Sequence, residues 1–178
     1  DAYSKKVQDA TRSFVFLNLH DGKVPAALIV FDRVVSADSK FRKYWLLHTQ
    51  EEPRIDGASA IVDCTQHDQR GRLTLDVLLP AIANRQLTSV GGPGKEYWVF
   101  DANYANDIEP RQLERSSLEP GAWRIELSPR AASCDDSFLT VMQVTDRAAP
   151  GRLPVRLVEL REDELGLEEV FLRVMERG

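Results

Sequence analysis

Histidines are the side chains that most often carry acid–base or metal chemistry near neutral pH. The chain has three of them, His20, His48 and His67. His48 falls in the stretch "KFRKYWLLHT" at residues 40–49, where strand alternation places it on one face with Tyr44 and Leu46. A histidine that continues an aromatic and aliphatic face is more often a hydrogen-bonded structural residue than a general base. We therefore predict that His48 is structural.

Cysteine and histidine spacing gives one possible pair of metal ligands. Cys64 and His67 lie three residues apart, a spacing at which two side chains can share an ion. A zinc site needs three or four ligands, and no second pair in the sequence completes this one. We predict no metal site and no other cofactor. Cys64 and Cys134 either form one disulfide or remain two thiols, and the sequence allows both.

The glycine-rich stretch "VGGPGKEYW" at residues 90–98 contains a lysine but does not match a phosphate-binding loop. Such a loop requires G-x-x-x-x-G-K followed by Ser or Thr. Here Ser89 stands where the first glycine should be, and Glu96 follows the lysine. We expect instead a tight loop with positive φ angles at its glycines. These are Gly91, Gly92 and Gly94.

Nucleophilic and paired-carboxylate catalysis also lack a signature. The sequence contains no G-x-S-x-G elbow of the kind that presents a catalytic serine. The carboxylate doublets Glu51-Glu52 and Asp135-Asp136 fall at predicted strand edges, and neighbouring strand residues point to opposite faces. We therefore predict no catalytic residue in this chain, and whether the chain is an enzyme stays open.

Composition indicates a globular chain and excludes two classes of partner. The 178 residues carry a formal net charge of −5, with 43% hydrophobic and 29% charged residues. Nucleic-acid binding needs a concentrated basic face, and the Lys and Arg residues here are scattered. No segment approaches the ~20 apolar residues that span a bilayer. We expect neither a nucleic-acid nor a membrane partner.

Alternation with period two dominates the chain and predicts β-strands. In "GRLTLDVLLP" (residues 71–80) one face carries Leu73, Leu75, Val77 and Leu79. In "AWRIELS" (residues 122–128) one face carries Trp123, Ile125 and Leu127. Asp21-Gly22 lies between two apolar runs, which is a strong hairpin signal. About ten such runs predict an all-β fold, an antiparallel β-sandwich over residues 1–160.

The last residues show a different period. A stripe at i, i+3, i+4, i+7 and i+8 predicts a short C-terminal amphipathic helix at residues 161–178, packed on the sandwich. Its members are Leu167, Val170, Phe171, Val174 and Met175.

Four stretches together resemble the heparinase II/III-like polysaccharide lyases. They are "AYSKKVQDATRSFVFL", "ALIVFDRVVSADSKFRKYWLLHTQEEPRI", "GRLTLDVLLP" and "VGGPGKEYWVFDANY". The resemblance runs from about Ala2 to about Asp146, in the order in which the family has these motifs, and it is to the later part of the family's large β-sandwich region. The resemblance implies cleavage of uronic-acid polysaccharides by β-elimination, in a periplasmic or secreted protein.

The resemblance also implies that the catalytic residues lie elsewhere. In this family the catalytic Tyr and His residues come from an α/α-toroid and from the early sandwich, and the zinc ligands, where present, also lie in the early sandwich. The resemblance covers none of those segments, so it brings no catalytic or metal residue to this chain.

Two functions therefore stand as expectations. The first is a β-sandwich module of such a lyase, not catalytic on its own, with an acidic polysaccharide and a separate lyase toroid domain as partners. The alternative is a stand-alone carbohydrate-binding or assembly module. Its sugar platforms would be four aromatic residues, because aromatic faces present an apolar surface with a polar handle. They are Tyr97, Trp98, Tyr104 and Trp123. The apolar strand "TRSFVFLNL" (residues 11–19) also predicts a homodimer or a partner that supplies the missing strands. The alternative is that the C-terminal helix covers the open surface, which would allow a monomer.

Overall fold

The computed structural model describes residues 5–65, 70–104, 122–148, 150–162 and 168–174. In chain order its strands are β1 Val7–Asn18, β2 Ala26–Ser36, β3 Trp45–Thr49, β4 Arg54–Asp56, β5 Ser59–Asp63, β6 Gly71–Leu79, β7 Arg85–Gly91, β8 Trp98–Val99, β9 Ala102–Asn103, β10 Trp123–Pro129, β11 Asp135–Asp146, β12 Val155–Glu162 and β13 Glu168–Val174. One turn of 3-10 helix, Ile82–Asn84, precedes β7. The predicted all-β, antiparallel class is confirmed, although the described residues form thirteen strands and not about ten.

The strands form two sheets and two separate hairpins. The larger sheet has the order β1-β2-β11-β6-β5-β4, and the smaller has the order β3-β10-β7. The pairs β8-β9 and β12-β13 stand apart as two-stranded sheets. Asp21 organises the connection between β1 and β2, since its Oδ1 accepts hydrogen bonds from the N–H groups of Lys23 and Val24 at 2.7 and 2.8 Å. The predicted hairpin is therefore present.

The core lies between the two sheets and follows the predicted alternation. Leu75 of β6 and Ile125 and Leu127 of β10 are fully buried. The same cluster contains Val30, Trp45, Ala60, Val77, Phe138 and Met142. Arg85, at the start of β7, links the sheets because its guanidinium donates to the carbonyl oxygen of Val77 in β6 at 2.9 Å. Burial lowers the pKa of Arg85 from its ordinary value.

The larger sheet is also covered on part of its outer face. Asp76 of β6, which the alternation turns away from the core, is buried nonetheless. The segment before β12 crosses this face, where Leu153 exchanges hydrogen bonds with Gln143 of β11. Arg152 is ion-paired with Asp76. This crossing segment explains why both faces of β6 and β11 carry buried residues.

The predicted C-terminal helix is wrong where the structure describes the chain. Residues 168–174 form β13, which pairs antiparallel with β12. Over seven residues, an apolar sequence such as "EEVFLRV" fits period two as well as the helical period. The paired strand β12 supplies backbone hydrogen bonds, and this tertiary partner overrides the helical pattern. Leu167 and Met175, the ends of the predicted stripe, lie outside the described residues.

Within the part of the chain that the structure describes, no helix has the length and hydrophobicity needed to cross a membrane.

Candidate functional site

The glycine-rich loop after β7 is shaped by contact with Trp123. Gly91, Gly92 and Gly94 all have positive φ angles, of 148°, 81° and 79°, as the sequence predicts. A Cβ atom on Gly92 would lie 2.7 Å from Cζ2 of Trp123, so only glycine lets the loop approach the indole this closely. The Gly92 N–H donates to the carbonyl oxygen of Ala122 at 3.0 Å. The loop is therefore fixed against the first residue of β10.

The loop leads into a short hairpin formed by β8 and β9. Trp98 pairs with Asn103, and Val99 with Ala102. The two residues between them, Phe100 and Asp101, have φ angles of 50° and 60°, the pattern of a type I′ turn. Such a turn normally uses Asn or Gly, and a bulky side chain in the left-handed region is strained.

Hydrogen bonds hold this hairpin in one arrangement. The Tyr104 N–H donates to the carbonyl oxygen of Tyr97 at 3.1 Å, and the Tyr97 N–H donates to Oδ1 of Asn103 at 2.9 Å. Glu96 accepts from the N–H of Gly94 at 3.1 Å and from Nδ2 of Asn103 at 3.5 Å. Hydrogen bonds from the backbone N–H groups of Glu96 itself and of Gly94 lower the pKa of the Glu96 carboxyl.

The structure brings three of the four predicted aromatic residues together. Tyr97, Trp98 and Tyr104 share the hairpin, and the glycine loop joins them to Trp123, the fourth. Tyr104 is 58% exposed, and the other three are half-buried. The Nζ atom of Lys95 lies 5.3 Å from the centroid of the Trp98 ring, which places a cation over an aromatic face.

Sequence reasoning missed Phe100, the most exposed aromatic residue of the hairpin. Its side chain is 89% exposed at the tip. The stretch "WVFDAN" contains no glycine or asparagine between its strands, so it gave no turn signal. The combination of backbone strain and exposure becomes visible only in the structure.

His48 lies on the solvent-exposed face of β3. It shares a face with Leu46 and lies opposite Arg124 of β10, as the alternation predicts. It is exposed, and none of the hydrogen bonds of the described residues involves its imidazole. The face continued by His48 is open to solvent, and the structural role of His48 stays a prediction. His20 is exposed at the β1-β2 connection with a φ of 52°, and His67 lies outside the described residues.

The metal and carboxylate candidates give no convergent site where the structure describes them. No group of three His, Cys, Asp or Glu side chains within the described ranges is close enough to hold an ion. No disulfide joins Cys64 to Cys134. The two carboxylates of the second doublet diverge: Asp135 pairs with Arg33 at 2.6 Å, whereas Asp136 pairs with Lys43 at 2.7 Å. The predicted divergence of this doublet is therefore seen directly.

Fold and site together define a small antiparallel β-sheet protein with an aromatic hairpin at one end of its smaller sheet. No protein-family model and no curated protein matches the chain. Among solved structures, it is similar to a mutant of heparan sulfate lyase HepC from Pedobacter heparinus, with 12% identity and a TM-score of 0.44. It is also similar to HepC itself, with 13% identity and a TM-score of 0.42.

These matched enzymes are much longer than this chain. In each case the similarity covers 85% of this chain and 22% of the enzyme. Both of these proteins are named as heparan sulfate lyases. At these identities and TM-scores the likeness carries no argument, so a proposal about function has to rest on the residues of this chain.

Proposed function

We propose that this chain is a β-sandwich module that binds an acidic polysaccharide and is not catalytic on its own. In this proposal it serves a lyase that cleaves uronic-acid polysaccharides by β-elimination, and the lyase toroid domain is its partner. The motif resemblance from Ala2 to Asp146 supports the lyase context. By the same resemblance we propose a periplasmic or secreted location. We also propose that the module occupies residues 1–160.

The aromatic hairpin is the observation that carries the proposal. Exposed aromatic rings on a rigid support bind a partner with little loss of conformational entropy. Phe100 and Tyr104 supply exposed rings, and Trp98 adds a face with the ammonium group of Lys95 above it. A cation beside an aromatic face suits a sugar that carries a carboxylate or sulfate. Strain at Phe100 is consistent with a binding role, because strained residues cluster at ligand sites.

The described residues also support a role without catalysis. Elimination at a uronate needs a base at C5 and an acid at the leaving oxygen, both held in place. His48 is exposed and without a hydrogen-bonded partner in the described ranges, so nothing there orients it as a base. The described carboxylates of the second doublet are occupied by Arg33 and Lys43. Binding, and not turnover, is the activity that this geometry favours.

Titration calorimetry with heparin, alginate and a neutral glucan tests the proposal. We expect Trp98→Ala to weaken binding of the acidic polymers about tenfold, or about 1.4 kcal/mol, because it removes the contact between the indole ring and a sugar ring. Phe14→Ala is the control, since Phe14 is an exposed aromatic residue that lies on the larger sheet and not on the hairpin. Equal affinities for wild type, Trp98→Ala and Phe14→Ala would reject the hairpin as the binding site.

A stand-alone assembly module is the second candidate, and the edge strand β1 favours it. Phe14 and Phe16 are 70% and 67% exposed there, which is typical of a surface that pairs with another chain. Genomic context separates the two candidates. A toroid encoded upstream in the same reading frame supports a lyase module, and its absence there favours assembly.

A further inference from the structure

A second candidate site lies at the opposite end of β10 from the aromatic hairpin. A cavity of about 250 Å³ opens between the connection from β2 to β3 and the connection from β10 to β11. Arg42 and Lys40 line it from the first connection, and Arg130 and Ser133 from the second. None of the four was a candidate in the sequence, because they lie in two distant loops.

A buried ion pair fixes the two walls of this cavity. Nζ of Lys43 lies 2.7 Å from Oδ2 of Asp136 and donates to the carbonyl oxygen of Ser133 at 2.7 Å. The side chains of this pair are only 7% and 12% exposed. Asp38 shapes the first wall, since its Oδ1 accepts the N–H of Lys40 at 2.9 Å. The cavity is therefore held open by paired groups and does not depend on a ligand for its shape.

The cationic side chains that line the cavity outnumber the carboxylates that are ion-paired with them. None of the ion pairs among the described residues involves Arg42 or Arg130. Arg130 uses Nε to donate to the carbonyl oxygen of Arg85 at 2.7 Å, and Nη2 of Arg42 is 3.4 Å from Oγ of Ser128. Two guanidinium groups on one cavity repel each other unless an anion lies between them. This local excess of positive charge contrasts with the net charge of −5 of the whole sequence.

We propose that this cavity binds an anionic substituent, a sulfate ester or a carboxylate, of the polysaccharide that the hairpin binds. Guanidinium groups bind both anions through paired N–H donors. Tyr44 lies beside the cavity as a platform, 49% exposed and with its ring centroid 5.5 Å from the guanidinium carbon of Arg42. This inference rests on the proposed function, because it assigns the charged groups of the same ligand.

The position of the cavity suits a ligand that is an extended chain. Trp123 is the first residue of β10 and Pro129 the last, and seven strand residues span about 20 Å. The exposed face of the smaller sheet runs between the two ends, with Leu46 and His48 on β3. A polysaccharide along this face contacts the hairpin at one end and the basic cavity at the other.

Titration calorimetry of the complete chain with heparin fragments tests the cavity. The variant Arg42→Gln/Arg130→Gln removes both unpaired guanidinium groups, and we expect about tenfold weaker binding that is also less sensitive to added salt. Arg54→Gln/Arg156→Gln makes the same change in net charge at two other exposed arginines and is expected to bind like wild type. Circular dichroism and melting temperature check that each variant is folded.

The ligands and variants separate the possible outcomes. Desulfated heparin and alginate keep carboxylates but lack sulfate. If wild type and Arg42→Gln/Arg130→Gln bind these two ligands equally but differ in their affinity for heparin, sulfate is the group that the cavity binds. If Arg42→Gln/Arg130→Gln binds like its charge-matched control while Trp98→Ala is weakened, the cavity proposal is overturned and the hairpin stands. If only the arginine variant is weakened, the cavity stands and the hairpin proposal fails. Absence of heparin binding by the wild type overturns both.

Discussion

At the scale of single residues, one buried polar cluster joins the larger sheet to the segment before β12 that crosses its outer face. Gln143 is 1% exposed. Its Nε2 donates to Oδ2 of Asp76 at 3.1 Å and to the carbonyl oxygen of Leu153 at 2.9 Å, and its Oε1 accepts the Leu153 N–H at 2.8 Å. Every polar atom of this amide therefore has a partner, as a buried amide requires. The sequence did not indicate this role, because Leu153 lies in an irregular segment.

We expect Gln143→Ala to destabilise the chain by about 2–4 kcal/mol, since it leaves a carboxylate oxygen and two backbone groups unsatisfied in the interior. Urea unfolding measures the change. Gln86→Ala is the matched control, because Gln86 is exposed on β7 and its loss is expected to change stability by less than about 0.5 kcal/mol. Equal effects of the two substitutions would show that the network adds nothing to stability.

A second residue-scale prediction concerns pH. Arg72 donates to Asp63 through two hydrogen bonds, at 2.6 and 2.7 Å, and these lower the pKa of the Asp63 carboxyl. The stabilisation is present above the unfolded pKa of about 3.9 and is lost as the pH falls through the lower folded value. Because solvent reaches this pair, we expect at most about 1 kcal/mol.

The measurement compares wild type with Asp63→Asn by urea unfolding at several pH values. We expect the wild type to be more stable at pH 7, and the difference to shrink below about pH 4. Asp9→Asn, on the exposed strand β1, is the control and should show no such change. A difference between wild type and Asp63→Asn that stays constant down to about pH 2 contradicts the argument.

At the scale of elements, period two was enough to predict β6 and β10, where Leu75, Ile125 and Leu127 are buried. The same reasoning failed at β13, because its seven residues fit two periods and the partner strand decides between them. Residue type alone indicated Tyr97, Trp98 and Tyr104 as candidates, but no turn signal in the sequence marked the hairpin that carries them, and their role in binding stays a prediction. Sequence reasoning could not find the basic cavity, since Lys43 and Asp136 meet across 93 positions of the chain.

The glycine loop gives a prediction that separates strain from contact. Gly92 and Gly94 have similar φ angles, 81° and 79°, but only at Gly92 would a Cβ atom touch Trp123. We expect Gly94→Ala to cost about 1–2 kcal/mol, the cost of a left-handed residue. Gly92→Ala should cost more and shift the tryptophan fluorescence. Gly22→Ala, where nothing lies within 4 Å, is the control; equal losses at Gly92 and Gly94 would exclude a role for the indole contact.

At the scale of the whole molecule, the two sheets differ in width and leave β1 uncovered. The larger sheet has six strands and the smaller three. Phe14 and Phe16 lie opposite Val30 and Leu28 in the register of β1 and β2, so they share the face that forms the core further along the sheet. Both remain exposed. An open edge with exposed phenylalanines favours association.

We therefore predict that the chain forms a homodimer through β1. Light scattering over a range of concentrations should show a mass above that of the monomer, and Phe14→Lys/Phe16→Lys should restore the monomer because charges on an edge strand oppose pairing. Phe100→Lys is the control, since Phe100 is exposed on the hairpin and its loss should leave association unchanged. A wild type that remains monomeric at high concentration contradicts this prediction.

The central claim is that the molecule binds an acidic polysaccharide without cleaving it. The most direct measurement follows the absorbance of the unsaturated uronate product while the complete chain is incubated with heparin, heparan sulfate or alginate. We predict no rise above the blank at concentrations where calorimetry detects binding, because His48 is exposed and the carboxylates of Asp135 and Asp136 are ion-paired with Arg33 and Lys43. Turnover above the blank that disappears in His48→Ala would contradict the account and make His48 a catalytic residue.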